Sequence, residues 1–420
     1  MPPHLLLTYD FPPIGGGISR MLGEVARRYP AGALAVSTGS FTGSAEFDAA
    51  FPHPVDRMPI ESRRLRAVHG WVPWCRRAAV LARAIRPELI WCGNLKPAAY
   101  PANWVTRSLG IPHGVFLYGT ELLLLRHRLR ATTKRLAGRW LLGAPAVFVA
   151  VSRWTADLCR TVLSELGLDP GAVEVRAIPL GTDPVRFRPG LDSRAVRERY
   201  GLGPGRWLLT VARLAAHKGI DTGLRVLAAL RDEVPALRYA IVGSGVKLRD
   251  LERLARELGV ADRVRFLTAV PDSDLPAIYN AAEIYLGLSR PAELMVEGFG
   301  IALTEASACG VPVIGGSGGG IPDAVREGET GMLVDASHPE PVLAAVRLLL
   351  GDGELARRMG GAGRRAAETY YNWDRVAADV IAVGREVGAR HAAAPGARIA
   401  RIGGGSQVVR TPRHRQDFAR

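Results

Sequence analysis

The chain has 420 residues, of which 48% are hydrophobic and 23% charged, a balance typical of a globular protein with two or three domains. The formal net charge of +15 favours anionic partners such as nucleic acid, an anionic membrane face or phosphorylated small molecules. The four cysteines lie far apart in the sequence, so we expect neither a zinc site nor a disulfide framework.

Nothing near the start of the sequence predicts a membrane span or a signal peptide. The apolar run Leu5–Leu7 is short and lacks a basic leader, and no apolar stretch approaches the length needed to cross a bilayer. We therefore expect a cytoplasmic protein.

Short apolar, β-branched runs alternate with amphipathic helical stretches along nearly the whole chain. The predicted strands of the first half are His4–Thr8, Ala33–Ser37, Leu89–Cys92, Gly114–Leu117, Ala146–Val151 and Val173–Ile178. Those of the second half are Trp207–Val211, Arg238–Val242, Arg263–Leu267, Ile284–Leu288, Pro312–Ile314 and Met332–Val334. Because buried parallel strands are continuous apolar runs, the pattern predicts an α/β protein with two doubly wound, Rossmann-like domains facing each other across a cleft.

The domain boundaries follow from changes in composition. We expect a first domain at 1–180, a linker rich in Pro, Gly and charge at 181–204, and a second domain at 205–370. A helix at 371–390 is expected to cross back to the first domain. The aperiodic segment 391–420, rich in Ala, Gly and Arg, is expected to be a mobile basic tail.

The first predicted strand runs into a glycine-rich turn, Gly15-Gly16-Gly17, which is followed by a helix. Glycines at such a turn let backbone amides approach a phosphate or a sugar. The spacing differs from the dinucleotide-binding fingerprint. Alternatively, the glycines only allow the turn to pack tightly.

Two cations, Arg213 and Lys218, follow the first strand of the second domain. At the carboxyl end of a parallel strand they would point into the cleft, where they could neutralise a diphosphate leaving group. Alternatively, they are solvated surface cations.

Two glutamates, Glu297 and Glu305, lie eight positions apart, with a helix predicted to begin near Gly300. Helix N-termini bind phosphate, and the carboxylates could accept hydrogen bonds from sugar or ribose hydroxyls. The alternative is a capped helix with an acidic first turn. Asp272-Ser273-Asp274 resembles a D-x-D metal motif, but it precedes a helical stretch and is predicted to be a helix N-cap without metal.

Together these motifs resemble the family-four retaining glycosyltransferases, which have the GT-B fold. The resemblance extends over about residues 4 to 390. Its motifs are the Arg213–Lys218 pair, the E-x7-E pair Glu297–Glu305, Gly310–Ile314, Gly328–Val334 and the turn Pro12–Gly17.

The resemblance implies a retaining glycosyltransferase with an acceptor-side first domain and a donor-binding second domain. Arg213 and Lys218 would hold the donor diphosphate, and Glu297 would contact the sugar hydroxyls near the reacting centre. Glu305 would bind the ribose. The other donor-binding residues implied are Gly16, Gly17, Gly243, Gly245, Val270, Phe299, Gly300 and Ile301. The family needs no metal or other cofactor, since a donor phosphate oxygen takes the acceptor proton.

The sequence departs from the family at Tyr118, which stands where many relatives have a histidine. A phenol can donate one hydrogen bond but is not cationic near neutral pH. Tyr118 and Glu121 are therefore candidates for sugar or acceptor contacts, although Tyr118 could simply cap its strand.

Two basic runs in the first domain suggest a lipid-linked acceptor and peripheral contact with the inner face of the plasma membrane. Solvated faces of an arginine-rich protein are the alternative. The first run also contains Trp71 and Trp74. The cations are Arg57, Arg63, Arg64, Arg66, Arg76, Arg77, Arg83 and Arg86, then Arg126, Arg128, Arg130, Lys134, Arg135 and Arg139.

The segment Met295–Ile301 also resembles mannosyltransferases that act on phosphatidylinositol mannosides. We expect GDP-mannose as the donor, with UDP-glucose or UDP-N-acetylglucosamine next. The acceptor would be a glycan or a lipid-linked molecule rather than nucleic acid. Two alternatives remain: a nucleotide-sugar epimerase or hydrolase of the same fold, and a basic non-enzymatic protein that binds polyanions or membranes.

Overall fold

The computed structural model describes residues 3–61, 68–129 and 132–393. Most of the expected basic tail lies outside these ranges, as do four cations of the basic runs, namely Arg63, Arg64, Arg66 and Arg130. In the described part of the chain, no helix has both the length and the apolar character needed to span a bilayer.

The chain forms two parallel β-sheets, as predicted. The first sheet contains β1 (His4–Leu7), β2 (Leu34–Ser40), β3 (Val55–Glu61), β4 (Leu89–Cys92), β5 (His113–Leu117), β6 (Val147–Ala150) and β7 (Glu174–Ala177). The second contains β8 (Arg206–Val211), β9 (Leu237–Val242), β10 (Val264–Leu267), β11 (Ile284–Gly287), β12 (Val313–Gly316) and β13 (Gly331–Val334).

Helices pack around both sheets. They are α1 (Gly17–Arg27), α2 (Ser44–Ala49), α3 (Val68–Ile85), α4 (Ala99–Leu109), α5 (Thr120–Arg128), α6 (Thr132–Leu142), α7 (Arg153–Glu165), α8 (Arg194–Arg199), α9 (Ile220–Ala229), α10 (Leu248–Glu257), α11 (Leu275–Asn280), α12 (Ile301–Ala308), α13 (Pro339–Gly351), α14 (Gly353–Thr369) and α15 (Trp373–Ala393).

The strand orders are β3-β2-β1-β4-β5-β6-β7 and β10-β9-β8-β11-β12-β13. In each sheet the order reverses beside the first strand, between β1 and β4 in one and between β8 and β11 in the other. Open α/β sheets bind ligands at such switch points, outside the carboxyl ends of the strands. The topology therefore places one candidate site in each domain.

The strands are continuous apolar runs because both faces of each sheet are covered. Leu5 and Leu7 of β1 point into one core, whereas Leu6 between them points into the other. Successive residues of a strand face opposite sides, so a sheet with helices on both faces needs apolar residues at every position.

All twelve predicted strands are present, but β3 was missed. Its residues Asp56, Arg57 and Pro59 break the apolar run that marks the other strands. β3 lies at the edge of its sheet, where proline and charged residues are tolerated because one side of the strand has no neighbour.

The chain passes between the domains twice, and the two crossing segments are bonded to each other. The Thr182 amide donates to the Tyr371 carbonyl at 2.9 Å, and the Trp373 amide donates to the Thr182 carbonyl at 3.2 Å. α15 then packs on α1 and β4 of the first domain. A Cβ at Gly384 would lie 2.4 Å from the His4 ring, so only glycine permits this approach.

Two of the predicted segments can be described in more detail. The predicted linker, 181–204, contains α8, which packs on α11 of the second domain. Within the first basic run, Trp74 does not face the surface, because it is fully buried and donates to Ser37 Oγ at 3.1 Å. Arg57 in the same run is paired with Asp48.

Candidate active site

The candidate site lies where the loops at the carboxyl ends of the two sheets meet. A Cβ at Gly17, in the turn after β1, would lie 3.6 Å from Ile301 Cδ1, at the start of α12. Thr120 of the first domain donates to the Val296 carbonyl of the second at 3.5 Å. The two switch points therefore face one cleft.

A lysine–glutamate pair occupies the switch point of the second domain. Lys218 ends a short 3-10 turn after β8, and Glu297 lies in the loop after β11. Lys218 Nζ donates to Glu297 Oε2, and Ser289 Oγ donates to the same oxygen at 3.2 Å. Burial raises the pKa of Glu297, but the neighbouring Lys218 ammonium more than compensates, so the net pKa lies below its usual value. Glu297 is therefore a carboxylate at neutral pH.

Together with Arg213, the Lys218–Glu297 pair forms a cluster whose net charge is positive. Arg213 is exposed, and no carboxylate partner for it is found within the described ranges. Burial, together with the neighbouring Lys218, lowers the pKa of His217 to about 4, so this imidazole is neutral near pH 7. Two cations against one carboxylate make the site suited to an anion.

Glu305 lies inside α12, where the sequence predicted it, and is only 3% exposed. Tyr279 donates to its Oε2 at 2.7 Å, and Arg20 of the first domain donates to its Oε1. Burial raises the pKa of Glu305 despite the opposing effect of Arg20. A second guanidinium nitrogen of Arg20 donates to Asp272 Oδ2 at 2.6 Å.

The N-terminus of α12 supplies backbone donors to the cleft. Gly300 is its N-cap residue, as predicted. The Leu303 amide donates to the Gly300 carbonyl at 2.9 Å, and helix geometry leaves the two amides before it without an intrahelical partner. Phe299 can contribute only its backbone, because its ring is buried against Tyr371 with the centroids 6.3 Å apart. Gly17 approaches this helix from the first domain, whereas nothing lies within 4 Å of a Cβ built at Gly16.

The nucleoside-side residues lie after the next two strands. Gly243 and Gly245 follow β9, and their loop pairs with the Arg213 segment. The Leu214 amide donates to the Ser244 carbonyl at 2.9 Å. Val270 follows β10, the strand at the edge of the sheet, and is partly buried.

Tyr118 and Glu121 are engaged within the first domain and do not present free polar groups to the cleft. The Tyr118 hydroxyl donates to the Gly93 carbonyl at 2.8 Å. Glu121 Oε1 accepts from the Tyr118 amide, so this carboxylate stabilises the N-terminal turn of α5. Tyr118 therefore joins the β4 and β5 loops.

The expected N-cap at Asp272–Asp274 is correct in position but not in chemistry. Asp274 precedes α11 without a side-chain capping bond. Its carboxylate instead accepts from Tyr200 at 2.6 Å and pairs with Arg199. Across the described residues, no group of three or more His, Cys, Asp or Glu side chains could hold a metal ion.

Sequence reasoning missed a polar network at the switch point of the first domain. Thr8 Oγ1 donates to Asn94 Oδ1 at 2.8 Å, and Asn94 Nδ2 donates to Asp10 Oδ2 at 3.2 Å. Thr8 and Asp10 follow β1, and Asn94 follows β4. The sequence signal was available, because polar residues stand directly after two apolar strands.

Known proteins are similar in sequence to this chain over most of its length. The sequence profile of the family described as glycosyl transferases group 1 matches residues 193–366. The chain is 34% identical over 382 residues to the GDP-mannose-dependent alpha-(1-6)-phosphatidylinositol monomannoside mannosyltransferase of Mycolicibacterium smegmatis, covering 88% of this chain and 94% of the relative. The protein of the same name from Mycobacterium tuberculosis is 34% identical over 399 residues, covering 89% and 96%.

A solved structure shows the same GT-B fold. Anabaena HepE, crystallised with UDP and glucose, superposes with a TM-score of 0.72 at 19% identity. The superposition covers 90% of this chain and 98% of that protein.

Cleft closure depends on Gly298, where the two backbones meet. A Cβ there would lie 2.2 Å from the Tyr118 carbonyl oxygen. We expect Gly298→Ala to force the domains apart at a cost of about 1–3 kcal/mol, and to increase the radius of gyration measured by solution scattering. Gly203→Ala is the matched control, since nothing lies within 4 Å of its Cβ position. An unchanged radius in Gly298→Ala would contradict the closed cleft.

Proposed function

We propose that this chain, which belongs to the group 1 glycosyl transferases, transfers mannose from GDP-mannose to a lipid-linked acceptor with retention of anomeric configuration. Its strongest structural support is the cluster of Arg213, Lys218 and Glu297 at the switch point of the second domain. Two mannosyltransferase relatives that align over nearly their whole length favour transfer over the epimerase, hydrolase and binding-protein alternatives.

The donor diphosphate would bind between Arg213, Lys218 and the first-turn amides of α12. Negative charge develops on this group as the bond between the anomeric carbon and phosphate breaks. Preformed cations and helix N-termini stabilise such charge without reorganisation. The exposed Arg213 is available for this role, and Lys218 would share its ammonium between the phosphate and Glu297.

Glu297 would orient the sugar. Its Oε2 is occupied by Lys218 and Ser289, which leaves Oε1 to accept from a sugar hydroxyl. Glu305, which lies in α12 and accepts from Tyr279 of α11, would accept from the ribose hydroxyls.

Retention requires that the acceptor attack from the face that the phosphate leaves. The new bond joins the acceptor oxygen to the anomeric carbon, and the acceptor proton passes to the departing phosphate oxygen. Arg213 and Lys218 would neutralise the charge that a metal ion neutralises in other transferases, so we propose that the reaction needs no metal.

Donor and stereochemistry can be tested in one series. We expect GDP-mannose and GDP to raise the melting temperature more than UDP-sugars or UDP do. The first product from GDP-α-mannose and phosphatidylinositol mannoside should be an α-mannoside by NMR, formed equally with or without a chelator. A β-mannoside, or hydrolysis without transfer, would contradict the proposal.

Turnover should depend on the lysine–glutamate pair. We expect Lys218→Met and Glu297→Gln each to lower kcat by about 10²–10³, because each removes stabilisation of the transition state. Glu233→Gln is the matched control, since Glu233 also pairs with a cation, Arg347, but at the surface. Full turnover in either site variant, with folding confirmed by circular dichroism, would exclude that residue from the reaction.

A lipid-linked acceptor is supported by an aromatic surface on α3, α4 and α6. Its members, which we call the aromatic face, are Trp71, Tyr100, Trp104, Leu136 and Trp140. The Trp71 and Tyr100 rings stack at 5.2 Å, and those of Tyr100 and Trp140 at 6.2 Å. Trp104 is 57% exposed and Leu136 65%.

Cations accompany the aromatic face. Arg107 lies 5.6 Å from the Trp140 ring centroid. Burial and the charges of Arg128 and Lys134 lower the pKa of Lys96, so these three cations are close neighbours. Aromatic side chains beside lysine and arginine suit the surface of an anionic bilayer, and we propose peripheral contact there.

Membrane contact can be tested with a matched pair of variants. We expect Leu136→Glu to weaken binding to vesicles containing phosphatidylinositol by at least about tenfold, since it removes a leucine from the interface. Leu348→Glu, on α13 of the second domain, changes another exposed leucine (46%) and should bind as the wild type does. Equal binding of all three proteins would contradict the aromatic face as the membrane surface.

A further inference from the structure

Arg20 links the two domains at the carboxylate proposed to bind the ribose. It lies on α1, directly after the glycine turn, whereas both of its carboxylate partners belong to the second domain. One guanidinium nitrogen donates to Glu305 Oε1 and another to Asp272 Oδ2, the latter at 2.6 Å. The first domain thus places a cation on Glu305.

Glu305 needs such a partner because it is almost fully buried. A desolvated carboxylate is costly unless it is paired and hydrogen-bonded. Tyr279 satisfies Oε2, and Arg20 satisfies Oε1. Each oxygen therefore already has one donor, and Arg20 stands on the side of Oε1.

We propose that Arg20 is a positioning residue that holds the place of the donor ribose on Glu305 and leaves it when a nucleotide binds. This inference rests on the proposed function of Glu305. A ribose presents two vicinal hydroxyls, and a hydroxyl that donates to Oε1 competes with Arg20 for that oxygen.

Asp272 is the destination that the geometry offers to Arg20. It is already bonded to the second guanidinium nitrogen, and its side chain is 63% exposed. Arg20 can therefore release Glu305 and keep its bond to Asp272, so the domains stay linked while the ribose enters. Arg186 also contacts Asp272, at 3.8 Å between the charged groups, and shares that carboxylate with Arg20.

The bond between Arg20 and Glu305 lowers the apparent affinity for nucleotide, because only the protein molecules in which Arg20 has left Glu305 are competent to bind the ribose. We expect Arg20→Met to bind GDP about five- to tenfold more tightly than the wild type by calorimetry. Arg28→Met is the matched control, since Arg28 caps the C-terminus of the same helix but pairs with Glu24 and Asp374. It should bind GDP as the wild type does.

Two further ligands separate this effect from a general change in charge. The gain in affinity of Arg20→Met over the wild type should disappear with 2′,3′-dideoxy-GDP, which lacks the hydroxyls that compete with Arg20. Inorganic pyrophosphate should bind no more tightly to Arg20→Met than to the wild type, because it does not reach Glu305. An equal gain for GDP and its dideoxy analogue would overturn the proposal.

Asp272→Asn should change the affinity for GDP in the opposite direction. The substitution alters only an exposed side chain. Without the second carboxylate, Arg20 should remain on Glu305 and weaken GDP binding by about two- to threefold. If folded Arg20→Met binds GDP no more tightly than the wild type does, the role proposed for Arg20 is wrong. The proposed function is not affected by that result. If the wild type binds neither GDP nor UDP, the proposed function fails, and this inference fails with it.

Discussion

The buried carboxylates of Glu297 and Glu305 impose the main electrostatic constraint on the cleft. Each lies near the N-terminus of α12, and each needs a cation because burial in a protein interior disfavours an unpaired charge. Lys218 supplies the cation for Glu297 from the same domain, whereas Arg20 supplies it for Glu305 from the other domain. These two pairs therefore define where a donor would exchange contacts.

The rest of the fold serves to bring these segments together. Both sheets reverse their strand order beside their first strand, so Lys218, Glu297 and the glycine turn all emerge at switch points. The paired crossing segments at Thr182 and Asn372 and the docking of α15 on α1 fix the two sheets relative to each other. Arg153 of the first domain, bonded to Asp323 at 2.5 Å, adds a second charged link across the cleft.

The sequence predicts much of the fold because continuous apolar strands and the Glu297–Glu305 spacing are local patterns. Partners that meet only through tertiary structure were not predictable. Arg20 lies 285 positions from Glu305, and nothing local distinguishes it from other surface arginines. The same applies to the Tyr118 hydroxyl, whose acceptor Gly93 follows a different strand, and to Trp74, which turns inward from a basic run.

The most direct test is a crystal structure of the full chain with GDP. The account predicts the diphosphate on Arg213, Lys218 and the amides of α12, the ribose hydroxyls on Glu305, and Arg20 bonded to Asp272 alone. A nucleotide bound elsewhere would contradict the proposed donor site. A ribose on Glu305 with Arg20 still bound to Oε1 would instead contradict the exchange of contacts on which the account of the cleft depends.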